Sequence, residues 1–190
     1  MLEHVPAGLG HALRGVRAGF EKVVSEADFP GVADSIKMTS NAFEDGSSIP
    51  ARYTEDGEKI SPPLQWDKVP SGTAALALIV EDPDAPSPEP LVHLLAWDLP
   101  ATLMALPEGE FKSPGHAGLE EQLGRNSFLS AGWLAPDPPT GHGPHLYVFQ
   151  IYALDCKLDF DGHPGRNSVV KAMKGHVLAK GVLVGTYERS

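Results

Sequence analysis

Prolines and glycines interrupt this chain along its whole length, 18 and 20 of them in 190 residues. Proline fixes φ and removes a backbone donor, and glycine costs entropy inside a regular element, so the chain is cut into many short elements and a helical bundle is disfavoured. Residues 39–65 are mostly Ser, Asn, Asp, Gly and Pro, with Gly46, Pro50, Gly57, Pro62 and Pro63 breaking any regular run. This is a long irregular connection. What survives the punctuation is a set of compact apolar stretches: residues 74–80, residues 91–99 with Val92 and Trp97, and HLYVFQIYAL from His145 to Leu154. Each reads as a strand, and the tail VLVGTYER reads as another. Strands joined by long loops, without alternating helices, predict two packed antiparallel sheets in a mostly β, α+β domain.

Two stretches keep a helical period. Leu9, Leu13, Val16, Phe20, Val23 and Val24 recur at spacings of three and four, predicting one amphipathic helix over about residues 8–27 that ends at Pro30 and Gly31. Its apolar stripe packs on the domain's own surface or forms a dimer contact. Near the C-terminus Ser168 is placed as an N-cap, Val169, Val170, Met173 and Val177 form a stripe, and Gly181 is placed to stop the helix. The chain therefore divides into a helical extension at 1–30 and a domain at 31–190, large enough for one sizeable core.

Charge and cysteine usage narrow the function. With 15 Lys and Arg against 25 Asp and Glu, the net charge is -10, which repels nucleic acid and anionic membranes. Cys156 is the sole cysteine, so neither an intrachain disulfide nor a Cys-rich zinc site can form. No stretch approaches the roughly 20 apolar residues that span a bilayer, and the N-terminus lacks a signal-like apolar run. A cytoplasmic protein that does not span a membrane is expected.

The segment Glu81-Asp82-Pro83-Asp84-Ala85-Pro86 follows a buried strand, and its prolines hold the preceding residues extended. Asp82 and Asp84 are thus expected to project to one side. Such a pair serves acid/base chemistry, metal binding or the fixing of a loop. His93 sits inside PLVHLLAWDLP, where an imidazole needs a polar partner whether it is a core residue or a ligand-binding one. His145 opens a strand and so lies at a sheet end, where pockets form; His142, in the preceding turn, reads as a solvated loop residue. Residues 124–141 hold Phe128 and Trp133 without a regular pattern, which suggests a folded binding loop or a lid.

Taken in order, Ser61-Pro62-Pro63-Leu64-Gln65-Trp66, Asp82-Pro83-Asp84-Ala85-Pro86 with His93, Gly124-Arg125-Asn126-Ser127-Phe128 leading to Pro136-Asp137-Pro138-Pro139, and Gly141-His142-Gly143-Pro144-His145-Leu146-Tyr147 resemble the phosphatidylethanolamine-binding proteins. Within that family the resemblance is to the bacterial group described as Raf kinase inhibitor-like, and it covers about residues 36–187. It implies two antiparallel sheets with Greek-key connections and a small sheet-end pocket for phosphate, acetate or a phosphorylated headgroup. Carried over by position, the pocket uses Asp82, Asp84, Pro86, His93, Pro138, Pro139, His145 and Tyr147, with a cis peptide before Pro86. Three positions depart from the pattern: Asp137 replaces a Cys, Leu146 an Arg, and Leu94 a Trp. Without that Arg, an anion depends more on imidazole and backbone donors.

The expected function is non-enzymatic binding of a small anionic or phosphorylated ligand, with no cofactor and no metal. A protein partner such as a kinase is implied by the resemblance, and a homodimer stays open. Two alternatives remain: a hydrolase using an Asp/His acid-base pair, which lacks a G-x-S-x-G nucleophile motif, and a protein binding metal through His93, His145 and an aspartate. In the binding reading the aspartates orient His93 and favour its protonated form, and the N-terminal helix lies away from the pocket.

Overall fold

The computed structural model describes residues 7–111 and 122–189. Seven strands form two antiparallel sheets: β1 (Lys37–Thr39), β2 (Leu64–Asp67) and β5 (Ala105–Leu106) in the order β1-β2-β5, and β3 (Ala75–Asp82), β4 (Leu91–Pro100), β6 (His145–Leu154) and β7 (Val177–Tyr187) in the order β4-β3-β6-β7. After β4 the chain crosses to the smaller sheet and returns as β6 beside β3, so spatial neighbours are not neighbours in sequence.

The larger sheet is covered on both faces, which is why β3 is a continuous apolar run rather than an alternating one. On the face toward the smaller sheet, Leu76, Leu78, Val80, Tyr147, Phe149 and Ile151 pack with Met38, Leu64, Trp66 and Leu106. On the other, Ala77, Ile79, Tyr152 and Leu154 pack with Val24 and Phe29 and with Val169, Val170 and Met173 of α3 (Arg166–Met173). The outer edge of β7 is bonded by loop residues: Ile36 N–H donates to Lys180 O, Gly46 N–H to Val184 O and Ile49 N–H to Thr186 O. An edge so occupied is closed to other chains.

The helical expectations need correction. The single helix over 8–27 is instead α1 (Ala7–Leu13), a 3-10 turn at Phe20–Lys22 and α2 (Val24–Ala27). Gly19, at φ 110, takes a conformation that breaks the helix. The backbone there bonds to the body instead, Ala18 N–H to Ala85 O and Gly19 N–H to Pro83 O, and Leu9, Val16 and Phe20 are exposed rather than packed. Gly165, not Ser168, caps α3, which ends at Met173, and Val177 already belongs to β7. Gly181 stops no helix; it lies in β7, where a Cβ would stand 2.2 Å from Ile36 O. Among the described residues, no helix is long and apolar enough to cross a membrane.

Candidate functional site

Antiparallel pairing brings the C-terminal end of β3 and the N-terminal ends of β4 and β6 to one end of the sheet, with Asp82 opposite Leu91 and Glu81 opposite Val148. Pairing between β3 and β4 steps from Val80↔Leu94 to Glu81↔Val92, leaving His93 as the extra residue of a bulge. The bulge turns His93 to the inter-sheet side, against Tyr147 with ring centroids 5.1 Å apart and Trp133 at 6.3 Å.

A cavity of about 320 Å³ opens at this end, with Asp82, His93 and His145 among its lining residues. Ala85, Pro86, Leu91 and, from the loop over residues 122–141, Phe128, Leu134, Ala135 and Pro139 supply a mainly apolar wall, beside Glu55 and Asp137. Of the residues expected from the sequence, Asp82, Pro86, His93, Pro139 and His145 line the cavity. Asp84, Pro138 and Tyr147 are not among its lining residues. The Ala85–Pro86 peptide is trans.

Asp82 and Asp84 do not project together. Asp82 Oδ2 lies 2.7 Å from His145 Nδ1, and its Oδ1 accepts from Asp84 N–H at 2.7 Å. Asp84 turns away, pairing with Arg17 at 2.6 Å and accepting from Leu146 N–H at 2.7 Å. Neither carboxylate holds His93. Its Nδ1 lies 2.7 Å from Leu134 O; a carbonyl only accepts, so Nδ1 carries the proton and Nε2 of the neutral ring has no partner among the described residues. Burial pushes the His93 pKa down, outweighing the nearby Asp82 charge, so the ring is neutral near pH 7 rather than the expected imidazolium. Burial pushes the Tyr147 phenol far up, reinforced by Asp82 and Asp137, which leaves a neutral O–H that likewise finds no acceptor.

The carboxylates are nonetheless compensated one by one. Asp82 meets His145, Asp84 meets Arg17, Asp137 meets Arg189 at 2.6 Å, and Glu55 meets Lys59 at 2.6 Å. Two groups beside this set, His142 and Arg17, were not legible beforehand. His142, expected in solvent, is fully buried between His145 Nε2 and Leu13 O. Arg17 comes from the segment expected to lie away from the pocket, which instead packs against its back. The only sequence signal for His142 is its spacing of three from His145; Arg17 offers none.

Two antiparallel sheets with a cavity of this kind at one end define a β-sandwich of the sheet-end-pocket class. The model of the phosphatidylethanolamine-binding protein family matches residues 39–188, and the chain belongs to that family. A UPF0098 protein of Methanothermobacter thermautotrophicus is 40% identical over 154 residues, 81% of this chain and 99% of its own. Among solved structures, the phosphatidylethanolamine-binding protein homologue CT736 of Chlamydia trachomatis superposes with a TM-score of 0.74 at 34% identity, covering 83% of this chain and 100% of that one. YbcL of E. coli, a member of the mammalian family, gives 0.75 at 30%, covering 82% and 99%.

Proposed function

We propose that the sheet-end cavity is a non-enzymatic receptor for a small anionic or phosphorylated group, such as a phospholipid headgroup presents. The observation that carries this reading is His93 Nε2: a buried, unpartnered nitrogen of a residue that lines the cavity, its ring packed edge-on against Tyr147. Buried polar atoms are rarely left unbonded unless something else completes them. An acid phosphate donates its O–H to Nε2, or an anion enters together with a proton that Nε2 takes up. Pairing of each surrounding carboxylate removes the repulsion that the acidic lining would otherwise impose.

Catalysis is disfavoured by the same geometry. The Asp82–His145 pair resembles an acid-base dyad, but the outer nitrogen of His145 is engaged by His142 and cannot take a proton from a substrate. A metal at His145 meets the same obstacle, since both ring nitrogens are occupied. Ser87, the one hydroxyl residue on the wall, donates to Glu89 O rather than to an imidazole. Crystals grown from phosphate-containing solution test the reading. Anion density within hydrogen-bond reach of His93 Nε2 is expected, and a pocket that stays empty at saturating phosphate contradicts it.

A further inference from the structure

A line of hydrogen bonds runs behind the pocket. His142 Nε2 lies 2.8 Å from Leu13 O, His142 Nδ1 lies 2.7 Å from His145 Nε2, and His145 Nδ1 lies 2.7 Å from Asp82 Oδ2. A carbonyl at one end and a carboxylate at the other only accept, so three bonds in line need three protons. Two neutral imidazoles supply two. The third proton is extra, and whether it is counted on His145 or on Asp82, the set of two rings and one carboxylate is neutral as a whole. The partners stand in direct contact at 2.7 to 2.8 Å, so no water fits between them.

Both ends of this line return to one segment. Leu13 O receives the His142 bond, and four residues on, Arg17 pairs with Asp84, whose N–H donates to Asp82 Oδ1; Arg17 also donates to Pro144 O at 3.0 Å. The family match begins at residue 39, so this segment lies outside it. Leu146 meets Asp84 through its backbone N–H alone; the positive charge beside Asp84 comes from Arg17.

We propose that residues 13–17 are a positioning element for the pocket: with His142 they close a circuit that keeps one extra proton beside Asp82, cancelling its charge on the cavity wall at neutral pH. The use of this device rests on the receptor reading above; its proton count does not. Facing His145 are Asp82 from β3, His142 from the preceding turn and His93 from β4. Asp84 and Arg17 lie beyond Asp82, and Tyr187 opposite on β7 turns its hydroxyl to Asp56. Burial and the neighbouring His145 charge both push the His142 pKa down, which supports His142 as the neutral ring.

Ring-nitrogen NMR on the full chain, labelled at histidine and free of ligand at pH 7.5, tests the circuit. His142 should carry its proton on Nε2 alone, and His145 should be protonated at Nε2. His142→Gln, whose amide donates to Leu13 O and accepts from His145, should preserve that proton and hold inorganic phosphate affinity within about twofold. His142→Ala should lose the proton and about tenfold in affinity, one pK unit's worth. Should His142→Ala not fold, Arg17→Gln leaves every ring partner in place. It should lower phosphate affinity about threefold, as for a partly exposed ion pair, with His145 still protonated. A bare His145 Nε2 in the unsubstituted protein, equal behaviour of the Gln and Ala variants, or undiminished affinity in Arg17→Gln overturns the proposal. Correct ring protons in a protein that binds no phosphate overturn the receptor reading instead.

Discussion

His93 has one proton and two dissimilar nitrogens, one tied to Leu134 O and one without a partner among the described residues. Because burial lowers its pKa and that of His142 below the ordinary 6.5, the unfolded chain takes up protons that the folded protein refuses. The contribution of these two histidines to stability is therefore fullest above 6.5 and falls as pH drops from there toward the lower folded values. Thermal melts of the ligand-free protein should show Tm declining from about pH 7 to 5.5, less steeply in His93→Gln. Equal slopes would remove His93 from the linkage. His93, Asp82 and His145 were singled out together by the family resemblance; an imidazole in an apolar run and a carboxylate at a strand end say only that each needs a partner. His142 was not: Gly141 and Gly143 on either side read as solvent-exposed turn, and only the tertiary contact with Leu13 buries it.

At the scale of elements, the N-terminal segment changes meaning most. Its period of three and four was real, but Val24 N–H donates to the buried Glu81 at 2.8 Å and Ser25 N–H to the buried Gln150 at 2.7 Å, while buried Lys180 donates to Ser25 O and Phe29 O. Polar anchors on β3, β6 and β7 thus replace the helical ladder, and a periodicity count cannot see them. Glu81 is held besides by Arg166 at 2.6 Å. Arg166→Met leaves that carboxylate buried without its cation and should destabilise the protein by about 3–5 kcal/mol in denaturant unfolding. A loss under about 1 kcal/mol would mean Glu81 is protonated or hydrated in the fold. Removing residues 7–29 strips Glu81, Gln150 and Lys180 together, so the truncated chain should lose its cooperative melt. Of the strands, β3, β4 and β6 were legible nearly to the residue, because apolar runs flanked by Pro and Gly stand out; β7 begins at Val177, inside the stretch read as helix, and the short β1, β2 and β5 lie in segments too polar or too brief to show a pattern. The bulge at His93 was not legible either, since alternation is interrupted only by pairing with β3.

For the molecule as a whole, an excess of ten acidic charges makes an anion receptor look improbable, and the resolution is local. The acidic groups around the cavity are each matched, by His145, Arg17, Arg189 and Lys59, so the net charge acts at long range and is screened by salt while the pocket is quenched at short range. Anion capture then turns on one proton at His93. Calorimetric titration with phosphoethanolamine from about pH 8 to 6 tests this most directly, with sulfate in parallel because it does not titrate in that range. Affinity should rise as pH falls, protons should be taken up on binding sulfate, and His93→Ala should abolish the pH dependence with its circular dichroism unchanged. Affinity that is level across the range and survives His93→Ala would contradict the account.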